Sequence, residues 1–298
     1  MKYPPVQSRT VVVTGCSSGI GEAAARLLRD AGWTVIPTAR KQDDLDRLQA
    51  EGFKPFRLEI ADSQSVRNAV TQILDACGGK PGAVVNNAGY GQPGAIEDLS
   101  REVIARQFDV NVIGMQEFTN LFIPVFRGLG YGRIVNISSV LGRVVVPYNG
   151  IYSASKYAME AISDALRTEL FESGIAVSLV EPGPIYTEFR KNAVEVAERT
   201  LDMDSETHGK LYKRELMRRK KNPQARRAGA LPPEAVAKKI LHALESPRPR
   251  ARYRVTRAAH IGELVHRFGP DALVDRVRFR YARKKFRRVE GPTSSPAS

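Results

Sequence analysis

The strongest constraint on how this chain can fold is an alternation. Short apolar runs, "TVVVTG", "TVIPTAR", "KPFRLEI", "GAVVNNAG", "GRIVNISS" and "GIAVSLVEPG", recur along it, and stretches with helical spacing separate them. "GIGEAAARLLRDAG" follows the first run and stops on a glycine, and "QDDLDRLQAEG" and "SQSVRNAVTQILDACGG" follow the second and third. A long helical stretch covers about residues 101–126, and another runs from Tyr152 to about residue 173. Such periodicity separates helix from strand, and glycine marks the stops. Strands apolar at nearly every position are buried on both faces, as in parallel sheets covered by helices. The expected fold class is α/β, a doubly wound parallel sheet of Rossmann type with a basic helical C-terminal extension.

After Gly183 the alternation breaks. Residues 184–230 are polar, rich in Arg and Lys, and show no strand pattern. An excursion of that length is usually a lid, a binding segment or disorder. "PPEAVAKKILHALES" then reads as a helix opened by proline, and "ARYRVTR" as a final strand. Residues 258–290 read as amphipathic basic helices, and 291–298, "GPTSSPAS", as a disordered end. Residues 1–257 are expected to form one domain, with 184–230 as a segment over its site.

The net charge of +14 is unevenly placed. Residues 210–227 carry a net of +8 and residues 246–298 a net of +10, which leaves the remainder at −4. The two basic segments are either solvated faces or contacts for an anionic substrate tail, an acidic lipid surface or nonspecific nucleic acid. No specific nucleic-acid partner is expected. Two cysteines make no disulfide framework, and the four histidines lack zinc-site spacing, so no metal is expected. The first residues have no apolar core of a secretory signal, and no run reaches the ~18 residues of a membrane helix. These features lead to an expectation of a cytoplasmic protein, with membrane-peripheral contact through the basic tail as the variant reading.

"TGCSSGIG" lies between the first strand and the first helix, with glycines at 15, 19 and 21. A glycine turn that opens a helix lets backbone approach a pyrophosphate at the helix N-terminus, and Ser17 and Ser18 add hydroxyls. The second strand ends at Ala39–Arg40. A site for NAD normally places a carboxylate near that point to hold the ribose 2′-hydroxyl. Arg40 instead offers a cation, which favours a 2′-phosphate and therefore NADP(H) over NAD(H); as the plain alternative it is a surface residue at a strand end. "NNAG", residues 86–89, closes the fourth strand, where a doubly wound sheet binds its ligand.

Tyr152 and Lys156 stand four apart in "IYSASKYAME", on one face of a helix. A second pair with that spacing, Tyr281 and Lys285, sits in the basic tail with no strand before it. Gly15-x3-Gly19-x-Gly21, "NNAG", Asn111 in "DVNVIG", Ser139 in "NISSVLG", Tyr152-x3-Lys156 and "PGPIYT" occur in that order. Together they resemble the short-chain dehydrogenase/reductase family of the single-domain type, over about residues 8–190. "TGCSSGIG" and "PYNGIYSASKYAMEAISDALRTEL" look most like its hydroxysteroid and retinol dehydrogenase branch.

The resemblance implies an oxidoreductase acting on a small hydrophobic carbonyl or alcohol such as a steroid or retinoid, commonly as a homo-oligomer. It implies Asn111, Ser139, Tyr152 and Lys156 as the catalytic set. Ser138 competes with Ser139, and the family's Ser-x-x-Gly pattern, met here by Gly142, selects Ser139. Tyr152 is the implied general acid or base. A free phenol has a pKa near ~10, and a cation ~4–5 Å away at an effective dielectric of about 20 lowers it by roughly 2–3 units. Lys156 is implied as that cation and as the holder of the nicotinamide ribose, and Asn111 as the holder of a relaying water. The implied cofactor contacts are Gly15, Ser17, Ser18, Gly19, Ile20, Gly21, Arg40, Ile60, Asn87, Ala88, Gly89, Tyr152, Lys156, Pro182, Ile185 and Thr187. Glu59–Ile60 departs from the family's Asp at the adenine edge. The competing reading on the same fold is a noncatalytic NADP sensor.

Overall fold

The computed structural model describes residues 2–221 and 229–290. The expected disordered end at 291–298 lies outside them. The first half alternates without exception: β1 (Thr10–Val13), α1 (Gly19–Asp30), β2 (Thr34–Ala39), α2 (Gln42–Ala50), β3 (Phe56–Arg57), α3 (Ser63–Ala76) and β4 (Ala83–Asn86). Helices α4 (Arg101–Phe108) and α5 (Gly114–Leu129) lead to β5 (Gly132–Ile137), α6 (Gly150–Glu169) and β6 (Ile175–Glu181). Then come α7 (Phe189–Thr200), α8 (Gly209–Lys221), α9 (Glu234–Glu245), β7 (Arg252–Arg254), α10 (Arg257–Phe268) and α11 (Asp271–Glu290). The seven strands pair in parallel in the order β3-β2-β1-β4-β5-β6-β7.

Two apolar cores flank this sheet. One packs α1 and α9 on β1, β2, β4 and β5 through Leu28, Val85 and Ile240; the other packs α3 and α5 through Ile73, Phe118 and Phe122. The order in which successive strands are added reverses between β1 and β4, so their carboxyl ends open the crevice where such sheets bind ligands.

Three departures from the expected elements have local causes. The single helix anticipated over 101–126 is broken by a π turn at Asp109–Ile113. Such a turn inserts a residue into the helix and re-aims a side chain; here Asn111 ends fully buried. The break also lets α5 ride against the turn after β3, since a Cβ on Gly114 would collide with the Ile60 carbonyl oxygen. The helix after β5 begins ahead of Tyr152 and stops at Glu169, before a turn that ends on Gly174 at φ +76°. Within the 184–230 excursion, the described residues form two helices. Ala193, Val194 and Ala197 bury one face of α7. The ends of the excursion are stapled together: Tyr186 N donates to Leu231 O at 3.0 Å, and Leu231 N to Pro184 O at 3.1 Å.

A polar ladder crosses the second core. Asn86 and Asn136 are register partners on β4 and β5. Asn86 Nδ2 donates to Asn136 Oδ1 (2.7 Å) and Thr119 Oγ1 (2.8 Å), and Asn136 Nδ2 donates to Ser163 Oγ on α6 (2.8 Å). All four residues are at most 1% exposed. Removing one partner strands the others, at about 1–3 kcal/mol per buried group. Asn136→Ala should therefore lower unfolding stability in urea by about that amount. A variant as stable as the parent would show that the ladder contributes nothing to the fold.

Candidate active site

The site assembles at the carboxyl ends of β1, β4, β5 and β6. Gly15 takes φ +71° and Gly19 φ +62°, a region that favours glycine. A Cβ on Gly15 would meet Ala88 Cα at 2.9 Å, and one on Gly21 would meet the Gly15 carbonyl at 2.2 Å and Asn87 Nδ2 at 2.6 Å. The turn is held from β4. Asn87 Nδ2 donates to the carbonyls of Thr14 and Gly15, both at 2.9 Å, and Thr14 Oγ1 accepts from the amides of Asn87 and Ala88, both at 3.0 Å. Thr14 was not singled out in the sequence; a threonine closing the first strand is its only trace there. Ser18 is the N-cap of α1 in extended conformation and makes no side-chain cap bond. The orphan amides of a helix N-terminus are an anion site, and the glycine cradle fits a pyrophosphate by the same geometry. Ser17 is exposed, and its carbonyl accepts from Arg47 at 2.7 Å. Ile20 packs against the first core.

Arg40 follows β2 as expected, with a side chain 61% exposed. Its nearest carboxylate is Glu59 at 3.5 Å, which Arg106 also pairs at 3.3 Å. Glu59 thus holds two guanidiniums. Ile60 is buried in the second core, so its side chain serves packing.

Asn111 acts as a brace. Its Nδ2 donates to Tyr90 O (2.9 Å) and Ser155 Oγ (3.1 Å), and its Oδ1 accepts from Tyr90 N (3.1 Å). That fixes the chain beyond Gly89 on the face of α6 that carries Tyr152. Pro182, Ile185 and Thr187 follow β6. Pro182 O accepts from Val140 N at 2.8 Å, tying this loop to the one that carries Ser139. Ile185 joins the first core, and Thr187 lies where a Cβ on Gly19 would reach it, at 3.0 Å.

Ser139, Tyr152 and Lys156 converge. Ser139 hydrogen-bonds the Tyr152 phenol and also accepts from Leu141 N at 3.1 Å. Ser138, the competing serine, is buried under Gly142 with no partner for its hydroxyl among the described residues. Lys156 Nζ donates to Ile137 O at 2.8 Å and lies 5.9 Å from the centre of the Tyr152 ring. The expected depression of the Tyr152 pKa is not present. Burial pushes the phenol up to about 12, opposed only by the Ser139 hydrogen bond. Burial also pushes the Lys156 ammonium down to about 8, opposed by the Glu160 carboxylate one turn on. Desolvation outweighs the mutual field because both groups are sunk in the protein and the ammonium is turned to the β5 backbone.

Glu160 belongs to a charge cluster that sequence reasoning missed. It pairs with Arg252 at 2.9 Å and Arg143 at 3.8 Å, while Glu181, at the end of β6, pairs with Arg254 at 3.2 Å and Arg252 at 3.3 Å. Glu263 on α10 reaches Arg254 at 3.0 Å and Arg143 at 3.3 Å. Burial and the Glu160 charge raise the Glu181 pKa to about 7. The cluster joins the Ser139 loop, the Lys156 helix, β6 and the C-terminal helices. Its members span residues 143–263, so no local pattern announced it.

Above Tyr152 sits Phe189, ring centres 5.5 Å apart. The α7–α8 pair is fastened to the body at two points. Gln92 Nε2 donates to Thr200 Oγ1 at 2.8 Å, and Asp98 accepts from the Tyr212 hydroxyl and stands 3.0 Å from His208 Nδ1. Tyr281, of the second Tyr–Lys pair, is 42% exposed on α11, far in sequence from any strand end; the Lys285 side chain lies outside the description.

Comparison with known proteins agrees with this geometry. The short chain dehydrogenase family profile matches residues 9–198. The uncharacterized oxidoreductase YbbO of Escherichia coli K12 is 37% identical over 272 residues, covering 91% of this chain and 94% of that protein. Human 17-beta-hydroxysteroid dehydrogenase type 1 is 34% identical over 263 residues, covering 84% and 78%. The crystal structure of a short-chain dehydrogenase from Streptomyces avermitilis superposes with a TM-score of 0.73 at 26% identity, covering 96% and 99%. The chain belongs to the short-chain dehydrogenase/reductase family and is an NAD(P)-dependent oxidoreductase of the single-domain type.

The buried lysine sets a pH signature. Its pKa falls from 10.5 unfolded to about 8 folded. Between those values the unfolded chain binds a proton that the folded chain does not, so stability rises with pH across the window. Lys156→Met removes that rise, whose ceiling is on the order of 3 kcal/mol. Urea unfolding of both proteins at about pH 7.5 and pH 10 measures it. Parallel pH dependence in the two would show that Lys156 is not desolvated.

Proposed function

We propose that the protein is an NADP(H)-dependent oxidoreductase that interconverts a carbonyl and an alcohol on a hydrophobic substrate, working chiefly as a reductase. The observation that carries this reading is the meeting of Ser139, Tyr152 and Lys156 beside the glycine turn. When bound, the nicotinamide supplies or accepts the hydride. Ser139 orients the substrate oxygen. Tyr152 gives its hydroxyl proton to that oxygen as the carbon gains the hydride, and takes it back in the reverse direction. A phenol with a pKa near 12 holds its proton at neutral pH, which suits the acid role. Lys156, near 8, restores that proton and holds the nicotinamide ribose hydroxyls. Both Nδ2 hydrogens of Asn111 are engaged by protein, so a relaying water meets this residue at an oxygen. An intact proton donor argues against a pure NADP sensor.

Support for NADP is Arg40 in place of a carboxylate at the end of β2. Support for a hydrophobic substrate is the apolar ring of Phe189 over Tyr152. In this reading residues 184–230 are the substrate lid. The reading extends to a homo-oligomer, in line with Ile96 and Ile113 exposed beside α4, and to a peripheral membrane contact through the basic C-terminal helices. A steroid, retinoid or simpler lipophilic ketone fits this chemistry, and the hydroxysteroid dehydrogenase relative lends the first some weight.

Cofactor titration by fluorescence, with steady-state kinetics on a ketone panel, tests the scheme. Tyr152→Phe should keep NADPH affinity and lose at least ~10²-fold in turnover, the low end for general acid–base catalysis. An active Tyr152→Phe enzyme would contradict it. Arg40→Ala should weaken NADPH about tenfold or more and spare NADH, because one charge-assisted contact is lost. A parent enzyme that prefers NADH in kcat/KM would refute the cofactor assignment.

A further inference from the structure

Helix α10 is inside out. Its buried face is small or polar: Ala259 is 3% exposed, and Glu263 is tied to Arg143 and Arg254. Its outward face is apolar. Ile261, Leu264, Val265 and Phe268 follow helical spacing and are 61%, 59%, 38% and 71% exposed. Leu273, Val277 and Phe279 continue the exposure on α11. An apolar stripe exposed to this degree along one helix face marks an interaction surface. Packing of this stripe on the body of the same chain is ruled out by its orientation, since Glu263 points inward in its place.

Three occupants are conceivable, and the charge pattern chooses among them. The longer segments outside the described residues, 222–228 and 291–298, hold no large apolar side chain, so they do not suit the stripe. A second copy presenting the same face brings like charge against like. Residues 257–290 carry ten Arg and Lys against four Asp and Glu, a net of +6. Of the acids, Glu263 is committed inward and Asp275 pairs with Arg278 at 3.2 Å. Arg257, Arg267, Arg276, Arg280 and Arg283 are exposed around the apolar side chains. An anionic lipid surface matches both features at once: acyl chains for the stripe, headgroups for the arginines.

We infer that α10 and α11 dock the protein in plane on an anionic bilayer. The opposite face of α10 lies on the catalytic loop. A Cβ on Gly262 would stand 3.0 Å from Val140 Cγ2, the residue after Ser139, and His266 lies edge-on to Tyr157, the residue after Lys156. One helix diameter, ~10 Å, therefore separates the lipid face from the loop that carries Ser139. Resting on the oxidoreductase reading, this places the active site where a bilayer-dissolved carbonyl compound is concentrated. The docking rests on and sharpens the membrane contact proposed above, and it does not depend on the oxidoreductase chemistry.

The test is flotation of the full chain with vesicles of phosphatidylcholine containing 30% phosphatidylserine, at about 0.1 M salt. The parent should float with these vesicles and bind pure phosphatidylcholine at least ~10-fold more weakly, since each basic residue near an anionic surface is worth roughly fivefold. Leu264→Glu with Phe268→Glu should abolish flotation, and Arg276→Glu with Arg280→Glu should weaken it ~10-fold or more. Both pairs of side chains point outward, so circular dichroism and NADPH affinity should match the parent. A parent that stays in the soluble fraction with anionic vesicles overturns the docking. So does a parent dimer that the Leu264→Glu, Phe268→Glu variant turns into a monomer by sedimentation, because the stripe is then a subunit interface. Failure to turn over any carbonyl compound would refute the oxidoreductase reading while leaving flotation unaffected.

Discussion

The hydrogen bond from Asn136 on β5 to Ser163 on α6 sets the roll of α6 about its axis. Every functional distance in the site depends on that roll. Tyr152 and Lys156 lie eleven and seven residues ahead of Ser163, so all three share a face of the helix. The bond is itself fixed by the Asn86–Asn136 pair, which a parallel register places side by side. A polar ladder inside an apolar layer is costly where its groups go unpaired, and for that reason it admits few alternative packings; here Asn86 Oδ1 is left without a partner among the described residues. An apolar contact could hold α6 against the sheet at nearly the same energy, but it would let the helix rotate by a fraction of a turn.

With α6 locked, burial decides the electrostatics. The separation between Lys156 and Tyr152 suggested a cation lowering a phenol's pKa. In the folded protein both groups lose their water, and each is pushed toward its neutral form. The field of Lys156 is spent on the Ile137 carbonyl and on Glu160. This arrangement keeps a proton on Tyr152 and brings the Lys156 pKa down to about 8, which is what the acid and proton-resupply roles proposed for them require. The Glu160 carboxylate, held in turn by Arg143 and Arg252, opposes the fall of Lys156 that burial drives.

Much of this was legible in the chain. Strand runs such as "TVVVTG" and "GIAVSLVEPG" reveal a parallel sheet because burial on both faces leaves no polar position to confuse the reading. The glycine turn was legible from its place between strand and helix, and Ser139, Tyr152 and Lys156 were singled out by the family resemblance, since spacing alone also offered Ser138 and the Tyr281–Lys285 pair. What stayed hidden depends on register or on long-range pairing. Asn86 and Asn136 are fifty residues apart, and only the β4–β5 register makes them a pair. The π turn at Asp109–Ile113 hides inside an unbroken helical pattern. Helix α7 was masked by its charged side chains, although Ala193, Val194 and Ala197 already mark a face.

The amphipathic pattern of α10 was legible, but its orientation was not. Periodicity shows that a helix has two faces and is silent on which one turns inward. The usual rule sends the apolar face to the core. Here Glu263 is drawn in by Arg143 and Arg254, which sit beside the buried carboxylates Glu160 and Glu181. Arg252 takes Glu160 at 2.9 Å and Asp164 at 2.6 Å, which leaves Arg143 with contacts of 3.5 Å and 3.8 Å to the buried carboxylates and Arg254 with one at 3.2 Å, and partly buried guanidiniums need closer partners there. Glu263 supplies the partner. The same charge cluster that tunes Lys156 thus turns α10 over and presents its apolar stripe to the outside, so the chemistry of the site and the character of the surface above it have one electrostatic origin.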